Sequence, residues 1–193
     1  MRAGTHLLLG AVAGLALGLL GGGGALAGLC ASAGALGGLL PDLDHPGSVI
    51  GRLLPWPAVA SELRPGFTRH GRRLLRGRVM WHRNQTHSLG LAAIAGTAAT
   101  GIGWWLGLRW GPALHALPVA TGLCLGASVA CGVVSHLLVD LAEPTPQMLL
   151  WPLSRRRWRP PWLPAARQGS AIAAVIELAM DLGAAALAVR MLR

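Results

Sequence analysis

Long apolar runs, broken by a few short polar clusters, set the rhythm of this chain. Residues 6–40 are apolar throughout and interrupted only by Gly21-Gly22-Gly23-Gly24, which predicts a hairpin of two helices near 6–20 and 25–40. Each would measure roughly 24 Å, thin for a bilayer and in need of tilt or local thinning. Residues 88–108 predict a third helix of about 31 Å, a good spanning length. Residues 113–141 predict a fourth, with Pro118 kinking its first turns, and residues 170–189 a fifth. The pattern defines an all-α fold: a polytopic membrane helical bundle of about five apolar helices. It forms one domain over 1–193, with a motif-bearing core at 1–160 and a C-terminal apolar helix within 161–193.

Composition strengthens the membrane class. The chain is 53% hydrophobic and only 12% charged, about half the charged share usual for soluble domains. With one Phe and no Tyr, an ordinary aromatic core is not expected. The formal charge of +10 comes entirely from Arg. Arg64, Arg69, Arg72, Arg73, Arg76, Arg78 and Arg83 share one loop, and Arg155, Arg156, Arg157, Arg159 and Arg167 share another. Arginines flanking apolar spans read as positive-inside anchors against membrane lipids, so no specific nucleic-acid binding is expected.

That bias orients the bundle. With the N-terminus cytoplasmic, loops 41–87 and 142–169 both face the cytoplasm, as expected for a multi-pass protein of the bacterial inner (plasma) membrane. Trp104, Trp105 and Trp110 then mark the outer interface; Trp56, Trp81, Trp151 and Trp158 mark the inner one. Arg190 and Arg193 would lie outside, which weighs against a fifth span. A rival reading makes the first segment a cleaved signal peptide, using Arg2 and Ala31-Ser32-Ala33. Its apolar stretch is too long for that and runs directly into Pro41-Asp42, so the segment is expected to remain. Cys30, Cys124 and Cys131 lie inside apolar runs without a CxxC pair, and read as small buried residues.

Three polar clusters stand at the ends of these runs: Pro41-Asp42-Leu43-Asp44-His45, His82-Arg83-Asn84-Gln85-Thr86-His87, and Ser135-His136 with Asp140. They hold three of the four aspartates and four of the seven histidines. In the five-span topology they meet on the cytoplasmic face, where His6 also begins the first helix. Ionisable groups are costly in a membrane and usually face a polar interior. His136 and Asp140, spaced i, i+4, project from one helix face and suit a shared metal ion. Alternatively, the aspartate orients a ligating histidine.

Asp42 and Asp44 follow Pro41, where the helix has ended; in an extended segment their side chains diverge, so one can ligate while the other acts as a base. His82 and His87 lie about 140° apart on a helix, so one belongs to the approach loop. Asn84 or Thr86 is expected to cap the third helix, with His87 in its first turn. His and Asp ligands favour Zn²⁺, Mn²⁺ or Fe²⁺ over Ca²⁺. His70 and His115 fall outside the clusters. Glu177 and Asp181 pair at i, i+4 within the fifth run and read mainly as structural.

At these residues the chain resembles the YdjM family of LexA-regulated inner-membrane proteins. The likeness runs through Thr5-His6 with Gly10, Leu40-Pro41-Asp42-Leu43-Asp44-His45-Pro46 with Ser48, His82-Arg83, Thr86-His87-Ser88, Ser135-His136 with Asp140, and Leu149-Leu150-Trp151-Pro152 before Ser154-Arg155-Arg156-Arg157. It covers roughly residues 1–160. Asn84 replaces a usual Gly, while Glu143 and Pro146 stand where Thr and Gly are expected. The resemblance implies a metal-dependent hydrolase.

Three functions remain in play. The first is a membrane-embedded metal hydrolase, with His6, Asp42, His45, His87, His136 and Asp140 as ligands and zinc as the favoured metal. Asp44 or His82 would serve as base and Arg83 as the group that stabilises charge on a phosphoryl oxygen. The favoured substrate is a phosphoester or lipid-like molecule at the cytoplasmic face. The second is a non-catalytic membrane protein whose metal ties the helix ends together, with a DNA-damage-linked role suggested by the family name. The third, a transporter, lacks inverted repeats, and only Glu177 and Asp181 speak for it.

Overall fold

The structure is a computed structural model that describes residues 3–22, 24–44, 48–52, 85–163 and 170–192. Among these, every long element is an α-helix: α1 Ala3–Gly21, α2 Gly24–Leu39, α3 Leu89–Leu114, α4 Pro118–Asp140 and α5 Ala171–Met191. All five are long and apolar enough to cross a membrane. Loop 64–78, with its arginines, lies outside the described residues.

The α1/α2 hairpin turns at the glycine run, with Gly22 at φ +149° and Gly24 at φ +53°, conformations that side chains disfavour. α1 has 19 residues, so at about 28 Å it approaches bilayer thickness more closely than the 6–20 boundary implied. α4 is the central element, packed against α1, α2 and α3; α5 packs on α1. α1 meets α2 along small residues. A Cβ on Gly10 would collide with the main chain at Gly34, and one on Gly34 with the main chain at Gly10. Such close approach is the usual means by which helices gain contact inside lipid, where apolar burial alone gives no advantage.

Several boundaries differ from expectation. α3 continues to Leu114, carrying Pro112, and stops at His115, whose left-handed φ of 49° closes the helix. The fourth helix begins at Pro118 and not at residue 113: this proline sits at the first helical position, where its missing N–H costs nothing, and it kinks nothing. After α2 the chain tightens into a 3₁₀ helix over Leu40–Asp44, so Asp42 and Asp44 are not in an extended segment. Pro41 disfavours a helical Leu40 without forbidding this tighter turn. Cys30 is buried but Cys131 is exposed, so the expectation that all three cysteines are buried fails.

Beyond α4, residues 141–163 fold back over the start of α3. Gln147 and Trp158 exchange main-chain hydrogen bonds of 3.0 and 2.8 Å, and Leu89 N donates to Leu149 O at 2.9 Å. Gly90 lets the main chain at Trp151 lie against α3. The strap thus fixes the first turn of α3 beside the last turns of α4, and that is where the polar clusters meet.

Candidate metal centre

Each side chain of the centre is delivered by a helix end. His6 stands in the first turn of α1, Asp42 in the 3₁₀ turn after α2, and His136 and Asp140 in the last turns of α4. His87 lies just ahead of α3, not in its first turn. Ser88 is the N-cap, its Oγ accepting from Leu91 N at 3.1 Å, so neither Asn84 nor Thr86 caps the helix. Ser88 also donates to Gln85 O at 2.6 Å, which fixes the backbone on both sides of the cap.

These five residues, distant in sequence, come together. The Nε2 atoms of His87 and His136 are 3.3 Å apart. Asp140 Oδ2 lies 3.4 Å from the former and 3.6 Å from the latter. Asp42 Oδ1 lies 3.9 and 3.8 Å from the same two nitrogens. Donors that share one ion at about 2.0–2.1 Å stand roughly 3–4 Å from one another. His6 completes the group: its ring stacks on His136 with centroids 3.8 Å apart, and its Nε2 is 3.5 Å from Asp140 Oδ1. The two oxygens of Asp140 therefore face different imidazoles.

The other ring nitrogens determine which atom each histidine presents. His136 Nδ1 lies 2.7 Å from Gly38 O; a carbonyl only accepts, so Nδ1 carries the proton and Nε2 offers its lone pair. His87 Nδ1 is 3.2 Å from Thr86 Oγ1, which turns Nε2 of that ring inward as well. His6 Nδ1 is buried with no hydrogen-bond partner among the described residues. Two overlapping groups, His6/His136/Asp140 and Asp42/His87/His136, are each compact enough to hold a metal ion. Nitrogen and carboxylate donors of this kind suit Zn²⁺, Mn²⁺ or Fe²⁺.

Burial sets the access. His87, His136 and Asp140 are almost wholly enclosed, while the Asp42 side chain is 21% exposed and forms the open side. Asp44 closes the 3₁₀ helix, but its side chain lies outside the described residues, as do His45, His82 and Arg83. His115, at the C-cap of α3, belongs to the opposite end of that helix. Glu177 is buried on α5, and Asp181 Oδ1 has no hydrogen-bond partner among the described residues.

Three contributors leave little mark in the sequence. The Gly38 carbonyl is a main-chain atom and leaves no mark in residue type. Thr86 suits a helix cap by residue type; its adjacency to His87 is the available sign of its other role. Gln147 is the third: it is fully buried and donates Nε2 to Leu137 O at 3.3 Å, tying the strap to α4 one turn before Asp140. Glu143, one of the positions that depart from the family pattern, is buried, and its main-chain oxygen accepts from Arg159 Nε at 2.8 Å.

Fold and site together define a polytopic helical membrane protein with a buried His/Asp cluster, able to hold a metal ion, where four helix ends converge. The chain belongs to the YdjM inner membrane protein family, which matches residues 1–192. Neither the curated proteins nor the solved structures yield a match.

Proposed function

We propose that this protein is a membrane-embedded, metal-dependent hydrolase, with Zn²⁺ favoured over Mn²⁺ and Fe²⁺, acting on a phosphoester of a lipid-like molecule at the cytoplasmic face. The observation that carries this reading is the facing pair of Nε2 atoms on His87 and His136, 3.3 Å apart and flanked by oxygens of Asp42 and Asp140. In that role His87, His136, Asp42 and Asp140 hold the ion, and His45 is a further candidate ligand. Gly38 and Thr86 keep the two rings oriented. His6 acts on Oδ1 of Asp140, either as a ligand or by fixing that carboxylate. A bound Zn²⁺ would supply Lewis acidity and lower the pKa of its water towards about 7. Asp44 or His82 is the candidate to accept a proton, and Arg83 to bind a phosphoryl oxygen through two parallel hydrogen bonds.

The test is a screen of phosphomonoester, phosphodiester and phospholipid substrates with metal-loaded protein. Arg83→Lys is expected to keep metal content and thermal stability while lowering turnover tenfold or more, about 1.4 kcal/mol of transition-state stabilisation. Absence of turnover on all three substrate classes would defeat the hydrolase reading. A structural metal site is the second reading, and the near-complete burial of His87, His136 and Asp140 favours it. It predicts metal-dependent stability without turnover, and Arg83→Lys then destabilises the fold.

The proposed orientation places the N-terminus and both arginine-rich loops in the cytoplasm. In a cysteine-free background, single cysteines placed in loop 64–78 and next to Arg156 should react with an impermeant thiol reagent only from the cytoplasmic side. One placed near Gly111, at the exposed Trp110, should react only from the outside. Labelling of the two arginine-rich loops from opposite sides would overturn the five-span topology.

A further inference from the structure

The strap that crosses the start of α3 also shapes a groove of about 490 Å³, lined by Leu89, Leu149, Leu150, Ser154, Arg156 and Trp158. We propose that this groove is a docking site for a single anionic phospholipid of the same leaflet. Its size falls within the range of small-molecule sites, roughly 300–1,000 Å³. Its chemistry is divided as a phospholipid is divided. Leu89, Leu149 and Leu150 supply an apolar wall, continuous with the lipid-facing surface of α3, on which Leu89 is 45% exposed.

The polar end holds Arg156, Ser154 and the Trp158 ring. Ser154 Oγ accepts from Arg156 N at 3.2 Å, which leaves its own hydroxyl hydrogen for a phosphate oxygen. No carboxylate pairs with the Arg156 side chain among the described residues, and exposed Arg155 and Arg157 flank it, so the local field is positive. Leu153 (93% exposed) and Trp162 (75% exposed) belong to the same strap. Exposed apolar and indole groups interleaved with arginines belong at the headgroup level of a membrane. A phosphate drawn to Arg156 would bring its acyl chains down along Leu89 and Leu150. This site stands apart from the hydrolase reading, because none of its lining residues is a metal-ligand candidate.

Native mass spectrometry of the full chain released from detergent tests it. One phosphatidylglycerol should be retained per chain, and phosphatidylcholine should not. Arg156→Gln should weaken retention at least tenfold, while Arg155→Gln and Arg157→Gln change it by less than twofold. Ser154→Phe, which fills the groove without altering charge, should also release the lipid. Equal loss in all three arginine variants would mean a diffuse basic surface and overturn the proposal. So would retention in Ser154→Phe, equal retention of phosphatidylcholine, or full displacement by excess inorganic phosphate.

Discussion

Protein purified in detergent with His136 replaced by alanine is expected to lose its metal. His136 is the residue shared by both compact ligand groups, and its Nε2 lies within 3.8 Å of donors from His87, Asp140 and Asp42. Removal of this donor leaves a buried aspartate beside a methyl group. Affinity should fall by more than the 10–100-fold typical of losing a mere orienting partner. Thr86→Val provides the graded comparison. It removes the oxygen 3.2 Å from His87 Nδ1 but no ligand, so it should weaken metal binding by about 10–100-fold and still fill at saturating metal. His115→Asn, at the far end of α3 in a left-handed cap that Asn tolerates, should change nothing.

Elemental analysis by plasma mass spectrometry, together with thermal unfolding with and without added zinc, gives both readouts. Ligand binding to the folded state stabilises it by roughly 4 kcal/mol at a thousandfold excess over Kd, so the zinc-dependent shift in Tm should vanish with His136→Ala. Full metal retention in both His136→Ala and Asp140→Asn would remove these residues from the centre.

The parts of this protein that could be read from its sequence are those governed by solvation. Apolar runs of spanning length had no other stable place, and carboxylates and imidazoles at their ends had to face each other or water. Hence the five helices, the glycine hairpin and the meeting of His6, Asp42, His87, His136 and Asp140 followed from residue type and topology. What failed was local backbone geometry, where small energies choose between alternatives. Pro118 can kink a helix or start one, and only the break at His115 decides for the start. Ser88, Thr86 and Asn84 are all acceptable caps, and the strap bond from Leu89 N to Leu149 O settles the register in favour of Ser88. The orientation of His136 depends on a main-chain oxygen, which no residue letter encodes. The two aspartates after Pro41 diverge only in an extended chain, and a 3₁₀ turn forms there instead.

Gly38→Ala should damage the packing of the bundle and the metal site together, and it tests whether the two are one construction. A Cβ at Gly38 would run into the main-chain oxygen of His6. The obstacle is backbone, not a movable side chain, so α1 and α2 must separate at the end that carries the centre. Overpacking of this kind costs about 1–3 kcal/mol, and here it exceeds the gain of up to about 1 kcal/mol that alanine brings to a helix interior. Two contacts of the centre shift together: His6 moves from Asp140 Oδ1, and the Gly38 carbonyl moves from His136 Nδ1. Metal affinity should therefore fall at least tenfold along with Tm, although no ligand has been altered. Gly28→Ala is the matched control on the same helix, because a Cβ there meets nothing within 4 Å. It should leave Tm and zinc affinity unchanged or slightly raise the former. If Gly38→Ala also keeps both at the parent level, the close approach of α1 and α2 does not hold the centre together. The bond from His136 Nδ1 to Gly38 O would then not be what orients the ring.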